Sequence, residues 1–133
     1  MKTESRVMSH ESRKIRSFTD LNSWREAHSL TVKLYRVTRS FPKEELFGLT
    51  SQMRRAAVSI TSNIAEGFSR KTSSDREHFY TMARGSLTEL QSQLLLARDI
   101  EYLHSKDFNA LSQQSIEVHK VLTGLINSTK EMK

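Results

Sequence analysis

The chain has 133 residues, 36% hydrophobic and 27% charged, with one proline, four glycines and no cysteine, which is the size and make-up of a single helical domain with one core. The lack of cysteine excludes a disulfide framework, a thiolate zinc site and a cysteine nucleophile. Lys and Arg outnumber Asp and Glu by 21 to 15, a formal net charge of +6 that favours polyanionic partners through counterion release and says nothing about the fold.

Residues 1–17 carry Lys2, Arg6, Arg13, Lys14 and Arg16 with few apolar side chains. They read as a disordered basic arm that cannot bury enough surface to order itself. The arm lacks the apolar run of a secretory signal, and no later stretch reaches membrane-spanning length, so a cytoplasmic protein without a membrane partner is expected. The folded domain is expected over 18–133. Its first helix follows from Leu21, Trp24, Ala27, Leu30, Leu34, Val37 and Phe41, apolar at steps of three and four, with Thr19 or Asp20 as N-cap. It must end near Ser40, because Pro42 disfavours helical geometry in the residue before it.

A second helix is expected from about Thr50 to Glu66, with Met53, Ala56, Ala57, Ile60 and Ile64 on one side and Gly67 as a left-handed C-terminal cap. Ser74 and Glu77 read as a capping box opening a third helix that runs to about Tyr102, its buried stripe being Phe79, Met82, Ala83, Leu87, Leu90, Leu94 and Ala97. The fourth helix begins after Ser105, places Phe108, Leu111, Ser115, Val118, Leu122 and Leu125 in heptad rhythm, and is expected to fray after Asn127. Long helices joined by short loops make sequential neighbours antiparallel, so the fold class is all-α, an up-down-up-down four-helix bundle.

Motifs for chemistry are missing. His10, His28, His78, His104 and His119 are scattered, with no i, i+4 pair for a metal and without the two Glu-x-x-His motifs of a di-iron bundle. Gly85-Ser86 lies inside a helical pattern without the second glycine of a nucleophile elbow, and Gly48, Gly67, Gly85 and Gly124 are too far apart to cradle a phosphate. We expect a non-enzyme with no metal, cofactor or small-molecule substrate.

The second helix is unusual for its small residues Ala56, Ala57, Ser59, Ser62, Asn63 and Ala65, which suit either a helix wedged at the centre of the bundle or one that also serves a subunit contact. Gly85, mid-helix, costs about 1 kcal/mol relative to Ala, and the compensation expected is close approach of a neighbouring helix, by Ala57 or Ser59. Arg55, Asn63, Glu66, Arg84 and Glu89 lie near these small positions and, if partly buried, must satisfy one another as a structural polar network.

The run Phe47-Gly48-Leu49-Thr50-Ser51-Gln52-Met53-Arg54-Arg55-Ala56-Ala57-Val58-Ser59-Ile60 and the following Ser62-Asn63-Ile64-Ala65-Glu66-Gly67 resemble the four-helix bundle proteins encoded in intervening sequences of bacterial 23S ribosomal RNA genes. The likeness takes in Asp20-Leu21, Trp24, Phe41-Pro42, Glu45, Ala83-Arg84-Gly85-Ser86-Leu87 and Glu89-Leu90, and covers roughly 18–126. Thr61 departs from it, since the family's pattern usually has Pro there.

The resemblance implies a cytoplasmic bundle that assembles into ring-shaped homopentamers. It also implies similarity to the accessory protein of diversity-generating retroelements, which binds a reverse transcriptase and RNA or DNA. Five copies at +6 each would make a strongly basic ring. The expected contacts are Arg36, Arg39, Lys43, Arg54, Arg70 and Lys71, at helix ends and loops, with Arg13, Lys14 and Arg16 of the arm in addition. Trp24, Phe79 and Phe108 are assigned to the core stripe, so binding is expected to be backbone-directed and salt-sensitive, to RNA more than DNA. The competing reading is a protein-binding scaffold, for example for a reverse transcriptase, with no nucleic-acid binding of its own.

Overall fold

The computed structural model describes residues 14–133 and contains four α-helices: α1 Asn22–Thr38, α2 Leu49–Ser69, α3 Ser73–Asp99 and α4 Ser105–Glu131. Single 3₁₀ turns occur at Phe18–Asp20 and Lys43–Glu45, and there is no strand among the described residues. Cross-helix hydrogen bonds set the directions. Thr31 Oγ1 donates to the Ala57 carbonyl (3.3 Å) and Arg54 Nε to Thr38 Oγ1 (3.0 Å), so α2 descends as α1 rises. The hydroxyls of Ser59 and Ser86 share a bond of 2.8 Å, and Gly67 faces Tyr80.

Arg84 donates to Thr123 Oγ1 (3.3 Å) and Gln91 to Ser115 Oγ (3.2 Å), which makes α3 and α4 antiparallel too. Gln114 Nε2, donating to the Glu26 carbonyl at 3.4 Å, joins α4 back to α1. Each helix touches its two neighbours around the ring and not the one diagonally opposite, the layout of an up-and-down four-helix bundle. The α1–α2 and α3–α4 connections share one end, here called upper. The lower end holds the start of α1, the α2–α3 connection and the end of α4.

The apolar stripes meet inside. Leu30 and Leu34 of α1, Met53, Ile60 and Ile64 of α2, Leu87, Leu90 and Leu94 of α3, and Leu111, Leu122 and Ile126 of α4 are all fully buried, at the three-and-four spacing that brings one helix face inward. The first turns of α3 depart from the expected stripe: Tyr80 is buried, Phe79 is half-buried and Met82 is 41% exposed. Continuing the stripe backwards from Leu87 and Ala83 in steps of four and three leads to Tyr80, and Gly67 leaves room there for its ring.

Several termini differ from expectation. Thr19 and Asp20 do not cap α1. Ser17 caps the preceding 3₁₀ turn by accepting from the Thr19 amide, and the Asp20 carboxylate takes the amides of Arg16 (2.9 Å) and Ser17 (3.1 Å). Arg16 and Ser17 of the expected arm are thus held against the start of the bundle, and residues 1–13 of that arm lie outside the described residues. Gly67 is not a left-handed cap: α2 continues through it to Ser69, and no described glycine has a positive φ.

The N-cap of α3 is Thr72, whose hydroxyl accepts from the Asp75 amide at 3.1 Å. Glu77, expected to close a capping box with Ser74, is ion-paired instead with Lys130 (3.8 Å) and Lys133. That link holds α4 helical to Glu131 rather than fraying after Asn127. α3 stops at Asp99, three residues early, because Glu101 takes a left-handed conformation (φ 69°) and the amides of Tyr102 and Leu103 turn back to the Ala97 carbonyl. Finally, nothing packs against Gly85: a Cβ there would meet no atom within 4 Å. The close approach expected at Gly85 is made one residue on, by Ser86 against Ser59.

Candidate nucleic-acid interface

The α1–α2 connection is built around Glu45. Its Oε1 accepts the Leu49 amide (3.1 Å), satisfying one of the unpaired donors at the start of α2, and its Oε2 accepts the Tyr102 hydroxyl (2.9 Å) from the neighbouring connection. Gly48 is needed for this arrangement, since a Cβ there would lie 2.8 Å from Glu45 Oε1. The bond from Tyr102 holds its phenol above the usual tyrosine range. One of the two carboxylates beside Lys43 is thus occupied internally.

Around this connection Thr38, Arg39, Phe41, Pro42, Lys43, Leu46, Thr50 and Arg54 line a shallow groove of about 120 Å³. Arg54 is held from three sides: Nε to Thr38 Oγ1 (3.0 Å), Nη2 to the Tyr35 carbonyl (3.3 Å), and its guanidinium over the Tyr35 ring at 4.6 Å. All three partners are neutral. Among the described residues no carboxylate lies within ion-pair distance of Arg36, Arg39, Lys43 or Arg54. Arg54 is therefore a positioned cation whose charge is not cancelled locally, the state suited to a phosphate. Arg36 stands a turn below, with Lys33, Val37, Asp107, Ala110 and Leu111 at a groove between α1 and α4.

The expected contacts fall at two ends of the bundle. Arg70 and Lys71 lie at the lower end, sixteen or more helical positions from Arg54, or about 24 Å. Arg70 is engaged: its Nη2 pairs with Glu66 at 2.8 Å and its guanidinium covers Phe79 at 4.5 Å. Lys71, Lys14 and Arg16 are exposed, and the two arm residues lie at the lower end because α1 starts there. Arg13 is outside the described residues.

Arg55, Asn63, Glu66, Arg84 and Glu89 do not meet in one network. Asn63 Nδ2 donates to the carbonyl and hydroxyl of Ser59 (2.9 and 3.0 Å), Arg84 reaches Thr123 on α4, and Glu66 takes Arg70. Arg55 and Glu89 border the same α2–α3 groove with Gln52, Ala56 and Ser59.

Sequence reasoning missed Tyr35, which orients Arg54, and Tyr102, which engages Glu45. The signal for the first was present: Tyr35 is one turn from Thr38 on the side of α1 that faces α2. It also missed a charge asymmetry. Residues 27–43 and 46–65 contain no Asp or Glu, so the surface shared by α1 and α2 is free of carboxylates along most of its length, with Arg39, Lys43 and Arg54 gathered at its upper end, whereas α3 and α4 mix both signs. Among the described residues no three His, Asp or Glu side chains converge as metal ligands, and no helix is long and apolar enough to cross a membrane.

Together these features define a class: a basic, all-helical up-and-down bundle with its surplus charge on one pair of helices. The chain belongs to the 23S rRNA-intervening sequence protein family, whose model matches residues 19–124. It is similar in fold to a protein of unknown function from the S23 ribosomal protein family of Bacteroides thetaiotaomicron, with a TM-score of 0.73 and 21% identity over 79% of this chain and 95% of that one. No curated protein matches it.

Proposed function

We propose that this chain is a non-catalytic, self-assembling four-helix bundle that binds nucleic acid, RNA in preference to DNA, through its α1–α2 face and upper end, as a ribonucleoprotein or retroelement accessory factor acting in the cytoplasm. The observation that carries this reading is Arg54, locked by neutral partners beside Arg39 and Lys43 in a groove whose lining includes no carboxylate. A guanidinium fixed in this way loses little freedom on meeting a phosphate, and its field is not cancelled by a neighbour. Assembly into a homopentamer, which the family resemblance supports, would multiply that charge.

A second reading is a scaffold for a protein partner, such as a reverse transcriptase. It is favoured by Phe47, which stands 94% exposed beside the half-exposed Leu46 in the α1–α2 connection. Size exclusion with light scattering, on protein prepared at low and at high salt and with its ultraviolet absorbance ratio recorded, separates the two. Nucleic acid retained at low salt and shed at high salt, on particles five times the 15.4 kDa chain, is the expected result. Nucleic-acid-free pentamers at both salts would favour the scaffold, and a monomer would overturn the assembly.

A further inference from the structure

Trp24 packs against the core but is not sealed into it. Phe18 meets its ring edge-on, with centroids 5.2 Å apart, and His28, one turn further along α1, lies parallel to it at 4.6 Å with planes 12° apart. His28 is exposed, so this pile of rings ends at the protein surface in an imidazole. Seven residues on, along the same side of α1, Tyr35 is also partly exposed and carries the Arg54 guanidinium over its ring at 4.6 Å. Seven helical residues span about 10 Å, roughly three base steps at ~3.4 Å. The surface between them belongs to the carboxylate-free stretch of α1 and α2.

We propose that the Trp24–His28 and Tyr35–Arg54 pairs are two stacking platforms for unpaired bases of a single-stranded nucleic acid laid along the α1–α2 face. The proposal rests on the nucleic-acid reading above and gives it a substrate class. Flat π-faces beside unpaired cations are what a single strand uses, because every base has a face to stack and the phosphates seek the positive groove. A duplex hides its base faces and would meet the cations alone. The rings are already stacked on each other, so little rotamer freedom is lost when a base adds to the pile.

Trp24 is the single tryptophan of the chain, so its fluorescence reports on this site without a label. The full chain is titrated with single-stranded oligoadenylate, its DNA counterpart, and an RNA duplex of equal length, at one fixed salt concentration. Quenching of Trp24 by a single strand, of either sugar, with affinity roughly tenfold or more above that for the duplex is the expected result. His28→Ala should weaken the single strand by about tenfold and leave the duplex unchanged, while His28→Phe, which keeps a ring, should restore binding. Because His28 is exposed, its variants keep the helical circular dichroism of the parent.

Equal affinity for single strand and duplex, with His28→Ala without effect on either, would overturn the platforms and leave the nucleic-acid reading standing. Failure of the parent chain to bind either form would overturn both.

Discussion

Gly67 of α2 lies against the ring of Tyr80 of α3, so that a Cβ on Gly67 would sit 2.7 Å from Tyr80 Cε1 and 3.0 Å from Phe79 Cβ. Tyr80 is 2% exposed and fills the core next to the α2–α3 connection, so its ring has nowhere to retreat. Gly67→Ala should therefore overpack the site and destabilise the bundle by about 1–3 kcal/mol. Gly85 is the internal control: its missing Cβ points into open space, and Gly85→Ala should stabilise by up to about 1 kcal/mol through helix propensity alone. Urea denaturation of the two variants should shift the midpoint in opposite directions, and equal shifts would refute this account of Gly67.

Glu101 holds the α3–α4 connection in a left-handed conformation at φ 69°, which costs a residue with a Cβ roughly 1–2 kcal/mol. Glu101→Gly removes that strain at the expense of a more flexible unfolded chain, and the balance should favour the variant by roughly 0.5–1 kcal/mol. A rise in the thermal midpoint, with the helical signal unchanged, is the check.

Much of the bundle was legible because the apolar spacing of α1, α2 and α4 is regular and Pro42 marks a stop. What was not legible shares a physical origin: the deciding partner lies on another helix. Gly67 looks like a cap from its own neighbours, and only Tyr80 across the interface shows why it is glycine. Glu77 has the spacing of a capping box with Ser74, yet Lys130 of α4 and Lys133 just beyond it compete for it more effectively than an amide does. Glu101 carries no glycine signal at a left-handed position. At the candidate interface the basic residues were visible one by one, but Arg70's pairing with Glu66 and Arg54's neutral surroundings depend on geometry that spacing does not encode.

Two contacts give opposite dependences on pH. Lys133, hydrogen-bonded to Glu77, holds that carboxyl below its ordinary value of 4.5. A depressed carboxylate contributes stability that is present above the unfolded value and is lost as pH falls through the folded one. Tyr102 is held above its ordinary value of 10.0 by its bond to Glu45, so its contribution is complete below about pH 10 and disappears as pH rises through the folded value. Thermal midpoints of Glu77→Gln should accordingly fall below the parent at neutral pH and converge with it in acid. Those of Tyr102→Phe should converge with the parent in alkali. Curves that stay parallel across the range would show that neither contact is coupled to ionisation.

Ser59 and Ser86 share one hydrogen bond at the α2–α3 seam, and Asn63 also donates to Ser59. Replacing either serine by alanine leaves its partner with a donor or acceptor to satisfy in a half-buried place, a loss of about 0.5–1.5 kcal/mol. Replacing both removes the pair together, so the double variant should be less destabilised than the two single variants added. A double-mutant cycle in urea reads that difference directly, and strict additivity would mean that water, not the partner hydroxyl, serves each serine.

Arg54 and Arg70 offer the sharpest test of where nucleic acid would bind. Both are arginines stacked over an aromatic ring, Arg54 within α2 on Tyr35 and Arg70 just past its end on Phe79, but only Arg70 has a carboxylate partner, Glu66 at 2.8 Å. A phosphate approaching Arg70 must displace or tolerate Glu66, whereas at Arg54 it meets an uncancelled charge. Arg54→Ala should weaken binding nearly uniformly across sequences and lower the slope of log affinity against log salt by about one phosphate contact. Arg70→Ala should change the slope little. If Arg70→Ala has the larger effect, the interface lies at the lower end, with Lys71, Lys14 and Arg16, and the upper groove around Arg39 and Lys43 is not the contact surface.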